Sequence, residues 1–142
     1  MDTSETTRAR SLAYGQISVL VVEDDELARA HIEAVINSGG FDALGVGSAA
    51  EARLAMEAMV FPIVVIDRRL GDADGITLIQ ELRDRYKSHR VFLMLLTALD
   101  SPEERERGLA AGADEYVSKK ASAEDILSRL SAAREHVRLK KK

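Results

Sequence analysis

The chain has 142 residues, a formal net charge of −4, 46% hydrophobic and 31% charged residues, and no cysteine. This is an ordinary globular composition for one domain. It excludes disulfides, thiolate chemistry and cysteine-based zinc sites. The longest strongly apolar stretch, Val91–Leu96, is too short to span a bilayer. Residues 1–16 are polar, without the apolar centre of a secretion signal, and read as a disordered tail. A cytoplasmic location is the default expectation. Charge is unevenly spread: Arg134–Lys142 holds five Lys/Arg and one Glu, a local +4 that leaves −8 on the rest. So acidic a body is a poor partner for nucleic acid, whose binding rests on neutralising phosphates.

The apolar pattern alternates between short runs and helical spacing. Ile17–Val22 reads as a strand. Glu26–Ser38 reads as a helix with Leu27, Ala30, Ile32, Ala34, Val35 and Ile36 on a broad apolar face, stopped by Gly39-Gly40. Phe41–Val46 is a weaker strand. Ser48 with Glu51 forms a capping box for a helix to about Met59. Ile63–Ile66 is the third strand, followed by a loop and a helix from Gly75 to about Tyr86. Val91–Leu96 is the fourth strand. Ser101-Pro102-Glu103-Glu104 opens the next helix, which ends near Gly112. A fifth strand lies around Tyr116–Ser118, and Ser122 caps a last helix running to about Lys140. Five β–α units with nearly all-apolar strands predict a parallel sheet covered by helices on both faces.

In such sheets ligands bind beyond the carboxyl ends of the strands. The residues there are Glu23 and Asp24 after the first strand, Asp67 after the third, Thr97 after the fourth and Lys119 after the fifth. Taken singly, each has a plain reading as a turn former, a loop hydroxyl or a solvated charge. Together they are three acids, a hydroxyl and a lysine on one edge. Clustered carboxylates stay ionised only if a cation joins them. Hard oxygen ligands without His or Cys suit Mg²⁺. Lysine adds a point charge for phosphate oxygens. These are the parts of a site in which a carboxylate accepts a phosphoryl group.

With these residues go four stretches: Val19-Leu20-Val21-Val22-Glu23-Asp24-Asp25, Val65-Ile66-Asp67-Arg68-Arg69-Leu70-Gly71-Asp72-Ala73-Asp74-Gly75, Leu95-Leu96-Thr97-Ala98, and Ala111-Gly112-Ala113-Asp114-Glu115-Tyr116-Val117-Ser118-Lys119. In this order the chain resembles the receiver domain of two-component response regulators, over about Ile17–Leu130. The resemblance implies a doubly wound, flavodoxin-like sheet of order 2-1-3-4-5. It implies Asp67 as phosphoacceptor from a phosphohistidine of a sensor histidine kinase or histidine phosphotransfer protein. Mg²⁺ (or Mn²⁺) would be held by Glu23, Asp24, Asp67 and the backbone carbonyl of Arg69. Lys119, Thr97 and the N–H of Ala98 would contact the phosphoryl group. Thr97 and Tyr116 would switch, Tyr116 turning inward. The fourth helix, fifth strand and fifth helix would form the output face and the seam of a homodimer. The expected division is a tail at 1–16, a receiver at 17–133 and a basic helical extension or truncated linker at 134–142.

Three departures stand out. Lys120 replaces a proline that usually follows the lysine, which predicts a trans bond there. Gly71 replaces another common proline, which predicts a looser acceptor loop. Arg68 and Arg69 follow the acceptor directly. Their charges are expected to favour ionised Asp67 and attract the phosphodonor, with Arg69 paired to Glu23 or the phosphoryl group and setting its lifetime. Both arginines also have a plain reading as solvated loop charges. Asp72, Asp74 and Glu81 do not make a calcium loop, because Leu70 stands at its first ligand position. Gly45-Val46-Gly47 lacks the third glycine of a dinucleotide fingerprint. An aspartate-based phosphatase would want an acid where Arg69 stands. A degenerate receiver that only binds partners is the remaining alternative. Ile126, Leu130, Ala133 and Val137 form a short heptad-like stripe, either core or a dimer seam.

Overall fold

The computed structural model describes residues 16–139. Its strands are β1 Ser18–Val22, β2 Asp42–Val46, β3 Ile63–Ile66, β4 Phe92–Thr97 and β5 Glu115–Ser118. The helices are α1 Glu26–Ser38, α2 Ala49–Ala58, α3 Gly75–Arg85, α4 Pro102–Ala111 and α5 Ala123–Leu139. All strands run parallel, in the order β2-β1-β3-β4-β5. The three central strands are buried along their whole length, while β2 and β5 at the edges are only partly so. This is why β1, β3 and β4 read as unbroken apolar runs: a parallel strand covered on both faces needs apolar side chains at every position.

Alternate strand residues feed two separate cores. Leu20, Val22, Val64, Ile66, Leu93 and Leu95 pack with Met56 of α2 and Leu78, Ile79 and Leu82 of α3. Val19, Val21, Ile63, Val65, Met94 and Leu96 pack with Ile32, Val35 and Ile36 of α1 and the apolar stripe of α5. The helices start where a side chain can take their free N–H groups. Asp25, Ser48, Asp74 and Ser101 cap the first four, and Ser122 accepts from Asp125 N–H at 3.0 Å before the fifth.

Two expectations change. The apolar face of α1 is narrower than its composition suggests: Leu27 is 83% exposed, and Ala30 and Ala34 also face solvent. Only the three- and four-residue spacing through Ile32, Val35 and Ile36 meets the sheet. The stripe Ile126, Leu130, Ala133 and Val137 is core throughout, so it is not a free seam. α5 runs unbroken past residue 133, and Val137 still packs on the sheet. Residues 1–15 of the expected tail and 140–142 of the expected extension lie outside the described residues.

Gly75 fixes how α3 leaves the site. Its N–H donates to the Arg68 carbonyl at 2.7 Å. A Cβ here would lie 2.1 Å from the Asp67 carbonyl oxygen and 2.9 Å from the Arg68 Cα. Those are backbone atoms at the end of a central strand and cannot step aside cheaply. Gly75→Ala is therefore expected to cost about 1–3 kcal/mol, the range for overpacking. Urea unfolding should show a lower midpoint at unchanged slope.

Candidate functional site

Strand register brings the predicted residues to one edge. Val22 pairs with Ile66, so Glu23 and Asp67 follow aligned strand ends. The ladder runs one step further: Asp67 N–H donates to Val22 C=O at 3.0 Å, and Lys119 N–H to Thr97 C=O at 2.9 Å. Glu23, Asp24 and Asp67 each present a carboxylate oxygen within 4.8 Å of the others. They form a gradient outward: Glu23 is buried at 1% exposure, Asp67 is half-buried and Asp24 faces solvent.

The Lys119 ammonium joins the two inner acids. Its Nζ donates to Glu23 Oε1 and, at 3.1 Å, to Asp67 Oδ2. Burial pushes the Glu23 carboxyl above its ordinary pKa; the hydrogen bond from Lys119 works against this and Asp67 adds to it. Burial also disfavours the Lys119 ammonium, but its hydrogen bonds to Glu23 and Asp67 outweigh that and raise its pKa. Thr97 is buried, and its hydroxyl accepts from Leu99 N–H at 3.2 Å. Ala98 lies exposed beside it, its N–H without a hydrogen bond among the described residues.

The oxygen donors suit a hard divalent cation. Three carboxylates converge, and the outermost is open to water. The Arg69 carbonyl accepts no hydrogen bond among the described residues, whereas those of Arg68 and Leu70 are taken by Gly75 and Ala73. Such a mixed set with room for water fits Mg²⁺.

Of the two arginines, Arg68 fits neither of its expected readings, whereas Arg69 fits that of a solvated loop charge. Arg68 is buried and bridges Asp74 and Glu104, the latter at 2.9 Å; it makes no bond to the acidic cluster. Arg69 is exposed and makes no ion pair among the described residues; Glu23, its expected partner, is held by Lys119. Tyr116, expected to turn inward, is already inward at 2% exposure. No peptide bond is cis among the described residues, so Lys119–Lys120 is trans, as expected.

Some of the scaffolding could not be anticipated from local sequence. Asp72 binds the first N–H groups of α2, Ala49 at 3.0 Å and Ala50 at 3.1 Å. Those hydrogen bonds hold the Asp72 carboxyl below its ordinary pKa. Asp72 thus ties the acceptor loop, one residue past Gly71, to the start of α2. Asp72 and Glu104 look like ordinary surface acids in sequence, because their partners lie 22 or more residues away.

The response regulator receiver domain family matches residues 19–131, and the chain belongs to it. It is 35% identical over 116 residues to the transcriptional regulatory protein PhoP of Escherichia coli K12, covering 80% of this chain and 50% of that protein. To the phosphate regulon transcriptional regulatory protein PhoB of Rhizobium meliloti it is 32% identical over 114 residues, with the same coverage. The chain thus spans about half the length of these relatives. Among solved structures, the receiver domain of Francisella response regulator 1452 superposes with a TM-score of 0.78 at 28% identity, covering 84% of this chain and 98% of that one. The BeF3-activated receiver of Klebsiella pneumoniae RstA gives 0.76 at 28% identity, covering 85% and 98%. The chain is therefore a receiver domain of two-component response regulators, a signalling domain. Receivers generally bind Mg²⁺ and are phosphorylated by histidine kinases. Among the described residues no helix is long and apolar enough to cross a membrane.

Removing the lysine charge should expose the repulsion between the acids. In Lys119→Met, Glu23 and Asp67 face each other uncompensated, and the Glu23 pKa rises further. A raised carboxylate pKa in the folded state means stability is lost as pH climbs through that pKa. As pH rises from the ordinary carboxylate range through the raised Glu23 pKa, the variant should lose more stability than the wild type, about 1.4 kcal/mol for every tenfold weakening of Glu23 as an acid. Urea unfolding at a series of pH values measures this.

Proposed function

We propose that this receiver, taken as residues 17–133, accepts a phosphoryl group on Asp67 in a Mg²⁺-dependent reaction and switches conformation in response. The observation that carries this reading is the Lys119 ammonium held 3.1 Å from Asp67 Oδ2, with Glu23 and Asp24 beside it. Mg²⁺ (or Mn²⁺) bound by Glu23, Asp24, Asp67 and the Arg69 carbonyl would neutralise charge on the phosphoryl oxygens. The remaining chemistry belongs to the side chains. The Asp67 carboxylate attacks the phosphorus of a phosphohistidine, and an O–P bond forms as the N–P bond breaks. The released imidazole takes up a proton. Lys119 stays charged to high pH and offers its N–H groups to the new oxygens. Thr97 exchanges its contact with Leu99 N–H for one to the phosphoryl group, and the free N–H of Ala98 donates to it.

Catalysis of this kind is positioning and charge neutralisation, needing no further covalent chemistry from the protein. The domain assists its own phosphorylation and dephosphorylation and turns over no external substrate. The donor is a sensor histidine kinase or a histidine phosphotransfer protein, in the cytoplasm. The signal passes through α4, β5 and α5, to a homodimer partner or an output domain, with Tyr116 as the moving aromatic. The acidic body makes no direct contact with nucleic acid. Arg69, with no ion pair of its own among the described residues, modulates the lifetime of the phosphoryl group.

The test is incubation with a small acyl phosphate and Mg²⁺, followed by intact-mass measurement. One phosphoryl group should add, and Asp67→Asn or chelation should abolish it. No uptake would favour a degenerate, partner-binding receiver; turnover of an external phosphate ester would favour a phosphatase. Asp24→Asn should raise the Mg²⁺ needed for half-maximal uptake about tenfold, equivalent to about 1.4 kcal/mol. Arg69→Ala should dephosphorylate at a changed rate; an unchanged rate would remove Arg69 from the reading.

A further inference from the structure

Arg68 follows the acceptor directly, yet its side chain serves a different part of the molecule. Its NH1 pairs with Asp74, the cap of α3, and its Nε donates to Glu104 of α4 at 2.9 Å. The Arg68 and Glu104 side chains are only 11% and 21% exposed. The pair therefore lies between the acceptor loop and α4, largely out of water.

α4 otherwise grips the sheet weakly. Its one buried residue is Gly108, and Leu109 is 41% exposed. Gly108 lets the helix backbone rest on Tyr116: a Cβ there would lie 2.5 Å from Leu95 Cδ1 and 3.0 Å from Tyr116 Cδ2. The inward Tyr116 ring is thus roofed by α4. Its hydroxyl is buried and has no hydrogen-bond partner among the described residues. Such a group costs free energy where it lies and would regain hydrogen bonds in water. Burial pushes the phenol pKa up; Glu104 adds to the rise and Arg68 opposes it, so both charges act on the ring hydroxyl. The inward ring needs something to hold its roof in place.

We propose that Arg68 and Glu104 form a latch that positions α4 over Tyr116 and sets the balance between inward and outward Tyr116. The acceptor residue is one peptide bond from the latch, so the latch ties the acceptor loop to the face that carries the switching aromatic. Its role in holding Tyr116 rests on geometry alone; its use as a response to phosphorylation rests on the function proposed above. Arg68 and Glu104 are positioning residues here and touch no reacting atom.

Incorporating 3-fluorotyrosine and recording ¹⁹F spectra tests this. The chain has three tyrosines, and Tyr14→Phe and Tyr86→Phe variants identify the Tyr116 signal. Glu104→Gln and Arg68→Met should each move that signal toward the position of exposed tyrosine, shifting the inward-to-outward ratio about tenfold or more. The double variant should move it no further than the larger single change, because the pair acts as a unit. Arg68→Lys, which keeps the charge, should restore part of the shift. Loss of stability with an unmoved Tyr116 signal in both single variants would overturn the latch. Phosphoryl uptake by the wild type is measured on the same samples. If that uptake fails, the proposed function falls, while the spectra of the unphosphorylated proteins still decide the latch.

Discussion

The site depends on one ammonium group placed between two carboxylates. Glu23 is almost wholly buried, and an isolated charge there would be expelled by protonation. Lys119 allows Glu23 and Asp67 to share an edge without unfolding it. That placement is a consequence of the sheet. β1 and β3 are hydrogen-bonded neighbours, and β5 reaches the same edge through β4. Glu23 and Lys119 are 96 residues apart in sequence and meet only because the strand ends align. The lysine therefore shares two of the three carboxylates that converge at this edge.

Much of this is legible in the chain itself. Central strands reveal themselves because both faces are covered, and each of β1, β3 and β4 lies within one residue of its expected limits. The edge position of the site residues follows from a general rule of open sheets, so chain order is enough to collect Glu23, Asp24, Asp67, Thr97 and Lys119 as candidates. Side-chain direction is less accessible. Composition suggests for α1 an apolar face that Leu27 does not join, since helical phase rather than hydrophobicity decides what meets the sheet. The stripe on α5 matches both a seam and a core face; only packing separates the two.

The arginines show where local reasoning fails. Adjacency to Asp67 suggests that Arg68 should serve the acceptor. Arg68 lies in a bend past the end of β3, and its side chain reaches the start of α3 and α4 instead. There it meets Asp74 and Glu104, acids that local spacing does not connect to it. Asp72 is similar: its partners are backbone N–H groups of another helix, which leave no trace in composition. In each case the missing information is a contact between segments, not the chemistry of a residue.

The acceptor loop, Arg68 to Asp74, has an unusual character for an exposed connection. Leu70 and Ala73 close a turn on each other, Asp72 holds α2 through both carboxylate oxygens, and Gly75 clips back onto Arg68. Surface loops ordinarily tolerate added length, since the closure entropy grows slowly. Here the contacts are indexed residue by residue, so an insertion would throw every later one out of phase. The exposed turn Lys87–Arg90, at the other end of the sheet, carries no such indexing to the acidic edge. It is the natural position at which to graft a tag or probe into this domain without disturbing its chemistry.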